Sequence, residues 1–495
     1  MKSLKYNTLA LVAGILASGL MGCSDFLETS PSTSVADSAV FKTVAGAQAA
    51  LNGCYYQMRA YNSGGADRQD DYGLPSVMHI SDMCGEDIIA WGGWYTFVYN
   101  YWGETRADIF RSSQLWTFHY RLINNVNSIL AYVDQCSGDE EDKQFIKGQA
   151  YAMRGWAYFD LARFFQQTYA IAQDMPGMPI YTEPTTEATE GKPRGTLRQT
   201  YDQVLSDLTQ AETLLDGFNR GDRINNFDQT VVQGVLAQVY QTMNNWPKAE
   251  EYAKKLLAIY PLTTNEEFLS GFNDHTIPSW IWGMKQTEEQ NMGDYSQFAM
   301  WANGTRKCYT FAGWFLATDF VNLFEEEDIR ASQFEWWWDQ IYVSYKFRDN
   351  EECRGSYSFM RADEMLLNAA EACARQGKEA EAKELLWQLQ DMRNAKRSET
   401  TGDDLIESIL LERRKELYGE GYALFDIVRN QKPLLRTGNH VDYNGGSVQL
   451  PARSWRFIFQ LPNSELKIRH WLTISGRQAI RIRIVEFMNR KYQKD

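Results

Sequence analysis

Histidine is scarce in this chain: the 495 residues hold five, His79, His119, His275, His440 and His470. They are scattered, none forms part of HExxH, and no His/Cys cluster has metal-ligand spacing, so no metal is expected. Seven cysteines occur and none makes a CxxC pair, which removes the usual zinc-ribbon and thiol-redox patterns. There is no P-loop, no GxGxxG opening a helix and no GxSxG elbow, so phosphate-cradling loops and the α/β-hydrolase nucleophile lack their marks and no cofactor is expected. Basic charge is in deficit, with 50 Lys and Arg against 64 Asp and Glu and a net charge of −14. That balance argues against general nucleic-acid binding. Beyond the first twenty-odd residues no apolar run approaches the length of a membrane-spanning helix. No catalytic residue is assigned.

One short apolar run is present, at the beginning. Lys2 and Lys5 precede Leu9–Leu20, and Leu20-Met21-Gly22-Cys23 follows. The run reads as a signal h-region. Leu at minus three, Gly at minus one and then Cys form the pattern of a bacterial lipoprotein, in which the thiol is acylated and the chain is cut before it. Residues 1–22 are then a signal peptide, Cys23 the lipidation site, and 23–38 a Ser/Thr/Pro-rich tether. Several buried acyl chains, at about 0.8 kcal/mol per CH₂, would anchor the protein stably. Wide cysteine spacing supports no pairing, and most cysteines read as small buried hydrophobes. Aromatic residues make up 14% of the chain, with 16 Trp. Trp is hard to hide completely, so such an excess suggests a ligand or partner surface besides a core.

Helical periodicity is widespread. It predicts helices over Ala45–Arg59, Ser113–Asp134 and Asp142–Gln166, and one from the N-cap Thr196 through Leu215. Two helical hairpins follow. Val231–Met243 leads through Asn244-Asn245-Trp246 into a helix with Pro247 in its first turn. Phe359–Arg375 leads through Gln376-Gly377-Lys378 into Glu379–Arg393. Alanines at the crossings match tetratricopeptide-like pairs, although the repeats are degenerate and separated by long insertions. Tyr61–Asp71 reads as a loop. The run Trp91–Trp102 (WGGWYTFVYNYW) reads as irregular, and Phe311–Phe347 has few clean periods.

Several segments carry a resemblance. Ser24-Asp25-Phe26-Leu27-Glu28 follows the lipid cysteine. Arg121–Leu130 (RLINNVNSIL) and Gly148–Phe159 (GQAYAMRGWAYF) come next, then Arg361-Ala362-Asp363-Glu364 with Ala370-Glu371-Ala372. Glu412–Gly421 (ERRKELYGEG) with Phe425–Arg429 is the closest match, and Phe459–Leu466 follows it. In this order they resemble the SusD/RagB family of nutrient-capturing outer-membrane lipoproteins. The resemblance implies a mostly α fold, with tetratricopeptide-like helix pairs packed against an irregular, loop-rich half that binds ligand. It also implies a glycan as cargo, a SusC-like TonB-dependent transporter as partner, and a lipid-anchored place on the cell surface at the outer membrane. The family-like domain spans 39–466. The Glu412–Leu417 helix itself reads as structure, its charges pairing with neighbours. Residues 467–495 depart from the family pattern: eight Lys and Arg stand against Glu486 and Asp495. This basic tail is read as a segment translated out of frame, the alternative being a genuine basic tail that touches lipid head groups.

Three functions compete: a surface glycan binder without catalysis, a glycan hydrolase using loop carboxylates such as Asp82, Glu86 and Asp87, and a helical-repeat scaffold. Peptides are an alternative cargo to glycans. Aromatic-rich loops favour the first two over the scaffold, and the lack of a compact catalytic motif favours the binder. In the family, ligand residues lie in an early loop region and a later irregular segment, here Asp67–Trp102 and Trp301–Trp338. The expected ligand-binding residues are Trp91, Trp94 and Tyr95, whose neighbours Gly92-Gly93 let the backbone turn rings outward, with Asp67, Arg68 and Asn100 as polar partners and Trp301 as the later ring. Tyr99, Trp102 and the Trp336–Trp338 cluster read equally as core. For the anchor, Cys23→Ala is expected to strip the protein from the outer membrane, as read by membrane fractionation and surface labelling. Undiminished surface labelling would remove the assignment.

Overall fold

The computed structural model describes residues 40–466, apart from 66–69, 92–94, 102–109, 290–291, 302–312, 339–340, 350–352 and 443–447. The segments read as signal peptide, lipidation site, tether and basic tail lie outside the described residues. Thr43 caps α1 (Val44–Gln57) through its hydroxyl. Two helices follow: α2 (Gly73–Met83), after the segment read as a loop, and the single turn α3 (Thr96–Tyr99), inside the run read as irregular. Two long helices come next, α4 (Phe110–Tyr132) and α5 (Glu140–Phe165). Asp139 caps α5, and three acidic residues in its first turn face the positive end of the helix dipole. A reciprocal capping box between Thr196 and Gln199 starts α6 (Leu197–Leu214).

The two expected hairpins are present as α7 (Gln229–Thr242) with α8 (Trp246–Leu257), and α9 (Ala362–Arg375) with α10 (Glu379–Met392). They are followed by α11 (Gly402–Leu417) and α12 (Ala423–Arg429). From α4 to α10 helices close in sequence pack side by side. The approach of α5 to α6 needs two glycines seven residues apart. A Cβ on Gly148 would come within 2.7 Å of Leu215, and one on Gly155 within 2.9 Å of Leu208. Arg154 then clamps the pair with two bonds to Asp207, at 2.8 and 2.7 Å.

The second hairpin begins later than its periodicity predicts. Tyr357–Arg361 is a strand, paired antiparallel with Trp280–Met284, because its alternating residues are buried on both faces. The aperiodic stretch before it also forms sheet. β1 (Ile88–Ala90), β2 (Trp280–Met284), β3 (Trp314–Leu316), β4 (Phe334–Trp338), β5 (Ile341–Ser344) and β6 (Tyr357–Arg361) make a four-stranded sheet, β1-β3-β5-β4, and the β2-β6 ribbon. Cys54, Cys84, Cys136 and Cys373 are buried thiols, as read, while Cys353 is disulfide-bonded.

Where helices and sheet meet lies a buried ionic network. Glu416 of α11 accepts from Arg330 (3.0 Å), from Arg361 (3.0 Å) and twice from Arg393 (3.1 and 2.9 Å). Arg361 continues to Glu420 (2.8 Å), which also takes Lys346 (2.6 Å). Arg393 reaches Asp363, and Arg330 reaches Asp328 and Glu412. Lys415 completes the set on Asp328. Five cations thus meet five carboxylates, and all are buried. Burial alone would raise the Glu416 pKa, but the three guanidiniums outweigh it and hold the carboxyl well below its ordinary range.

The same helix positions β1. Arg414 bonds Asp87 (2.5 Å) and Glu86 (2.8 Å), the two residues before the strand. Farther along, two neutral histidines hold α3. His440 Nε2 lies 2.9 Å from the Glu86 carbonyl, so it carries the proton, and Nδ1 accepts from the Tyr99 hydroxyl at 2.6 Å. His79 lies 3.5 Å from the Tyr95 hydroxyl. Burial lowers their pKa values to about 4 and about 3, aided at His440 by Arg436.

Glu416→Gln leaves three buried guanidiniums short of charge, and a loss of about 3–5 kcal/mol is expected in chemical denaturation. Glu407→Gln, which breaks the exposed pair with Lys432, should cost less than about 1 kcal/mol. Equal losses would contradict the role given to the network. Linkage at His440 has a definite sign: its folded pKa is depressed, so its stabilisation is complete above about pH 6.5 and declines as pH falls towards 4. Between pH 7.5 and 5, wild type should lose about 2 kcal/mol relative to His440→Phe. A constant difference across that range would show that the imidazole takes up its proton as readily in the folded protein as in the unfolded chain.

Candidate functional site

The expected site residues separate sharply. Asp67, Arg68 and Trp94 lie outside the described residues. Tyr95, Asn100 and Trp301 are core, contrary to expectation, with 2%, 1% and 1% of their surfaces exposed. Tyr95 meets Trp314 edge-on at 5.4 Å. Trp301 stacks on Phe347 at 5.7 Å and meets Trp314 and Tyr418 edge-on. Their ring faces are already covered by other rings, so no ligand reaches them in this structure. Asn100 ends α3 inside the protein, and neither of its amide atoms is hydrogen-bonded.

Trp91 is on the surface, 44% exposed, and rests on Phe315 at 5.7 Å. Its backbone N–H donates to Gly313 at 3.0 Å, which extends the β1–β3 ladder by one residue and fixes where the indole leaves the sheet. Trp336 differs from the core reading: it is 52% exposed and stands against Tyr342. Register separates the two indoles. Ile88, Leu316, Tyr342 and Trp336 form one cross-strand row, whereas Trp91 packs on Phe315, which pairs with Ile89 in the neighbouring row. Successive residues of a strand face opposite sides, so Trp91 and Trp336 lie on opposite faces and cannot cover one flat ligand together. Tyr99 is buried, as the core reading has it.

A second group of rings, exposed at Tyr61 and half-buried at Tyr72 and Tyr295, was not anticipated. Tyr61 and Tyr72 bridge antiparallel at the base of a hairpin. Their rings lie 5.4 Å apart, and Tyr72 stacks on Tyr295 at 5.6 Å. Tyr61 is 45% exposed. The hairpin is held from within: Asp71 accepts from Gly64 N at 2.8 Å and from Ser63 at 3.2 Å. Buried Arg111 pairs with Asp70 and lies 5.0 Å from the Tyr95 ring, which brings the hairpin beside the segment carrying Trp91. The bend at Asn62 (φ 57°) and Gly65 (φ 77°) is the local sign of a hairpin between two tyrosines. Nothing local announces Tyr295, which arrives from more than two hundred residues away.

Two of the loop carboxylates weighed for catalysis, Asp82 and Asp87, are committed to structure. Burial raises Asp82 to about 8 and Asp87 to about 6. Asp82 accepts from Gly421 N at 2.7 Å and lies 3.5 Å from Ala423 N, capping the start of α12. Asp87 is held by Arg414. Both border a cavity of about 470 Å³ lined by α11 and α12. Among the described residues one triad, Glu250, Cys373 and Glu381, has metal-like spacing. Lys254 bridges its two carboxylates at 2.6 and 2.5 Å, Lys378 adds a third contact, and the Cys373 thiol is pushed up to about 12 mainly by burial. A protonated thiol beside neutralised carboxylates is a salt-bridge cluster, not a metal site.

Comparison with known proteins matches this architecture. A family model described as "Starch-binding associating with outer membrane" matches residues 25–241, and the SusD family model matches 309–471. A SusD-like protein of Formosa agariphila is 24% identical and aligns with 87% of this chain and 93% of its own length. Among solved structures, a SusD-like carbohydrate binding protein from Bacteroides vulgatus is 29% identical, with a TM-score of 0.78 over 86% of this chain and 97% of that one. Surface glycan-binding protein A from Bacteroides thetaiotaomicron shares the fold, with a TM-score of 0.69 at 16% identity over 88% of this chain and 99% of its own. The mostly helical chain, with its degenerate helix pairs and inserted sheet, belongs to the SusD/RagB family.

Proposed function

We propose that this protein is a carbohydrate-binding protein without catalysis, which captures glycan at the cell surface and hands it to a SusC-like TonB-dependent transporter. Lipid on Cys23 would hold it to the outer membrane. The carrying observation is the aromatic surface of exposed Tyr61 with half-buried Tyr72 and Tyr295, and of exposed Trp91 on the neighbouring segment. Sugars have apolar C–H faces and polar rims. Aromatic faces cover the former at about 0.5–1.5 kcal/mol per ring beyond burial. Hydrogen bonds to the rims add a similar net amount each. Asp67, Arg68 and Trp94 remain proposed partners, on segments adjoining these rings. The carbohydrate-binding relative from Bacteroides vulgatus supports the ligand class.

A hydrolase has less support. Raised carboxyls such as Asp82 and Asp87 are what a general acid requires, but each is at most 6% exposed and its oxygens are already bonded within the fold. The reading is tested by calorimetry on a panel of amylose, xylan, mannan, galactan, pectin and mucin glycans. At least one should bind and be recovered unshortened. The double substitution Tyr61→Ala, Trp91→Ala should weaken that binding about tenfold or more with the thermal midpoint nearly unchanged. Release of shorter products would favour the hydrolase, and full affinity in the double variant would move the site elsewhere.

A further inference from the structure

We infer that the cleft beside α4 is a second carbohydrate-binding site, contiguous with the tyrosine hairpin and suited to a further stretch of the same glycan chain. This rests on the carbohydrate reading above. The cleft measures about 700 Å³, inside the range of roughly 300–1,000 Å³ usual for small-ligand sites. Its floor is aromatic: Trp116 lies 4.6 Å from Tyr120, and Tyr181 meets Tyr120 edge-on at 6.1 Å. Both phenols are occupied inside the protein. The Tyr120 hydroxyl donates to the Pro179 carbonyl at 2.8 Å, and the Tyr181 hydroxyl accepts from Lys192 N at 2.9 Å. That fixes the rings and leaves their C–H and π surfaces as what they offer.

The rim is polar. Asn124 Oδ1 accepts from the Thr185 N–H (2.7 Å) and hydroxyl (2.9 Å), which leaves its Nδ2 to donate to a ligand. Arg121 is exposed, and its bond to the Ser63 carbonyl is long, at 3.5 Å. Lys192 Nζ lies 5.2 Å from the centre of the Tyr181 ring. Among the described residues neither cation is paired with a carboxylate, whereas most buried cations are. Ring surfaces bordered by amide, guanidinium and ammonium donors suit a hydroxyl-rich ligand. A purely apolar one would leave those donors unmatched, and the net charge of −14 disfavours a polyanion such as nucleic acid.

Position links the cleft to the proposed first site. Arg121 bonds Ser63 and lies against Gly65, where a Cβ would come 2.9 Å from its guanidinium. Ser63 and Gly65 belong to the hairpin that carries Tyr61 and Tyr72, so the two surfaces share a wall. Two contiguous subsites on one chain multiply their affinities, because the second contact forms intramolecularly.

The experiment uses the mature protein and oligomers of increasing length from each polysaccharide that binds in the panel. Tyr181→Ala and Arg121→Gln should weaken the longest oligomers about tenfold and leave the shortest binding oligomer unchanged, whereas Trp91→Ala should weaken both. Thr189→Tyr, placed on the exposed rim, blocks the cleft without touching the core and should reproduce the loss. Wild-type affinity for every length in all three cleft variants would overturn the inference while the first site stands. If no glycan binds wild type, the carbohydrate reading and this inference fall together. In Thr189→Cys, a thiol shielded from maleimide without glycan, and reactive only when the chain is cut after Leu466, would assign the cleft to the protein's own continuation and overturn the inference.

Discussion

Glu416 is the residue on which the rest of the structure hangs. A carboxylate with no exposed surface is tolerable only when its charge is matched, and three arginines from three separate segments match it. Arg330 precedes β4, Arg361 ends β6, and Arg393 ends α10. Each brings its own further carboxylate. The outcome is a neutral cluster of alternating charges that joins the helix pairs to the sheet. Apolar packing could hold these segments together, but not with the directionality of paired guanidinium–carboxylate geometry.

From this cluster the constraint passes outward along α11. Arg414, two residues before Glu416, bonds the pair of acids just before β1, and Trp91 directly follows β1. Arg436 and the two neutral histidines secure the following turn. Arg111 does the same for the tyrosine hairpin through Asp70. The candidate surface is therefore irregular in secondary structure yet tied down at each entry point by a buried polar contact. Pre-positioned rings lose little freedom when they meet a ligand, which matters for a binder whose individual contacts are weak.

Much of the helical half was legible in the sequence. Thr196 with Gln199, Asn245 with Pro247, and Gln376-Gly377-Lys378 are local signals, and each falls where the structure puts a cap or turn. The charged run from Glu412 to Glu416 was readable as structural because so many opposite charges in one short helix demand partners. The sheet was not legible: four of the six strands are buried on both faces and carry no alternation, and all are only three to five residues long. Site residues were harder still. An aromatic run shows that rings are present but not which ones point outward. Tyr95 and Trp301 went inward because Trp314 and Tyr418 arrive from elsewhere to cover them, and Tyr295 joined Tyr72 by a contact across more than two hundred residues.

The central claim is that exposed rings on the hairpin and at the end of β1 hold a carbohydrate that leaves unaltered. Hydroxyl-radical footprinting, read by mass spectrometry with and without the bound glycan, tests it most directly. Protection is predicted at Tyr61, Tyr72 and Trp91, with Trp336 on the opposite face of the sheet unchanged and the glycan mass preserved. Protection confined to the cavity beside Asp82 and Asp87, with the glycan recovered in shorter pieces, would contradict the account.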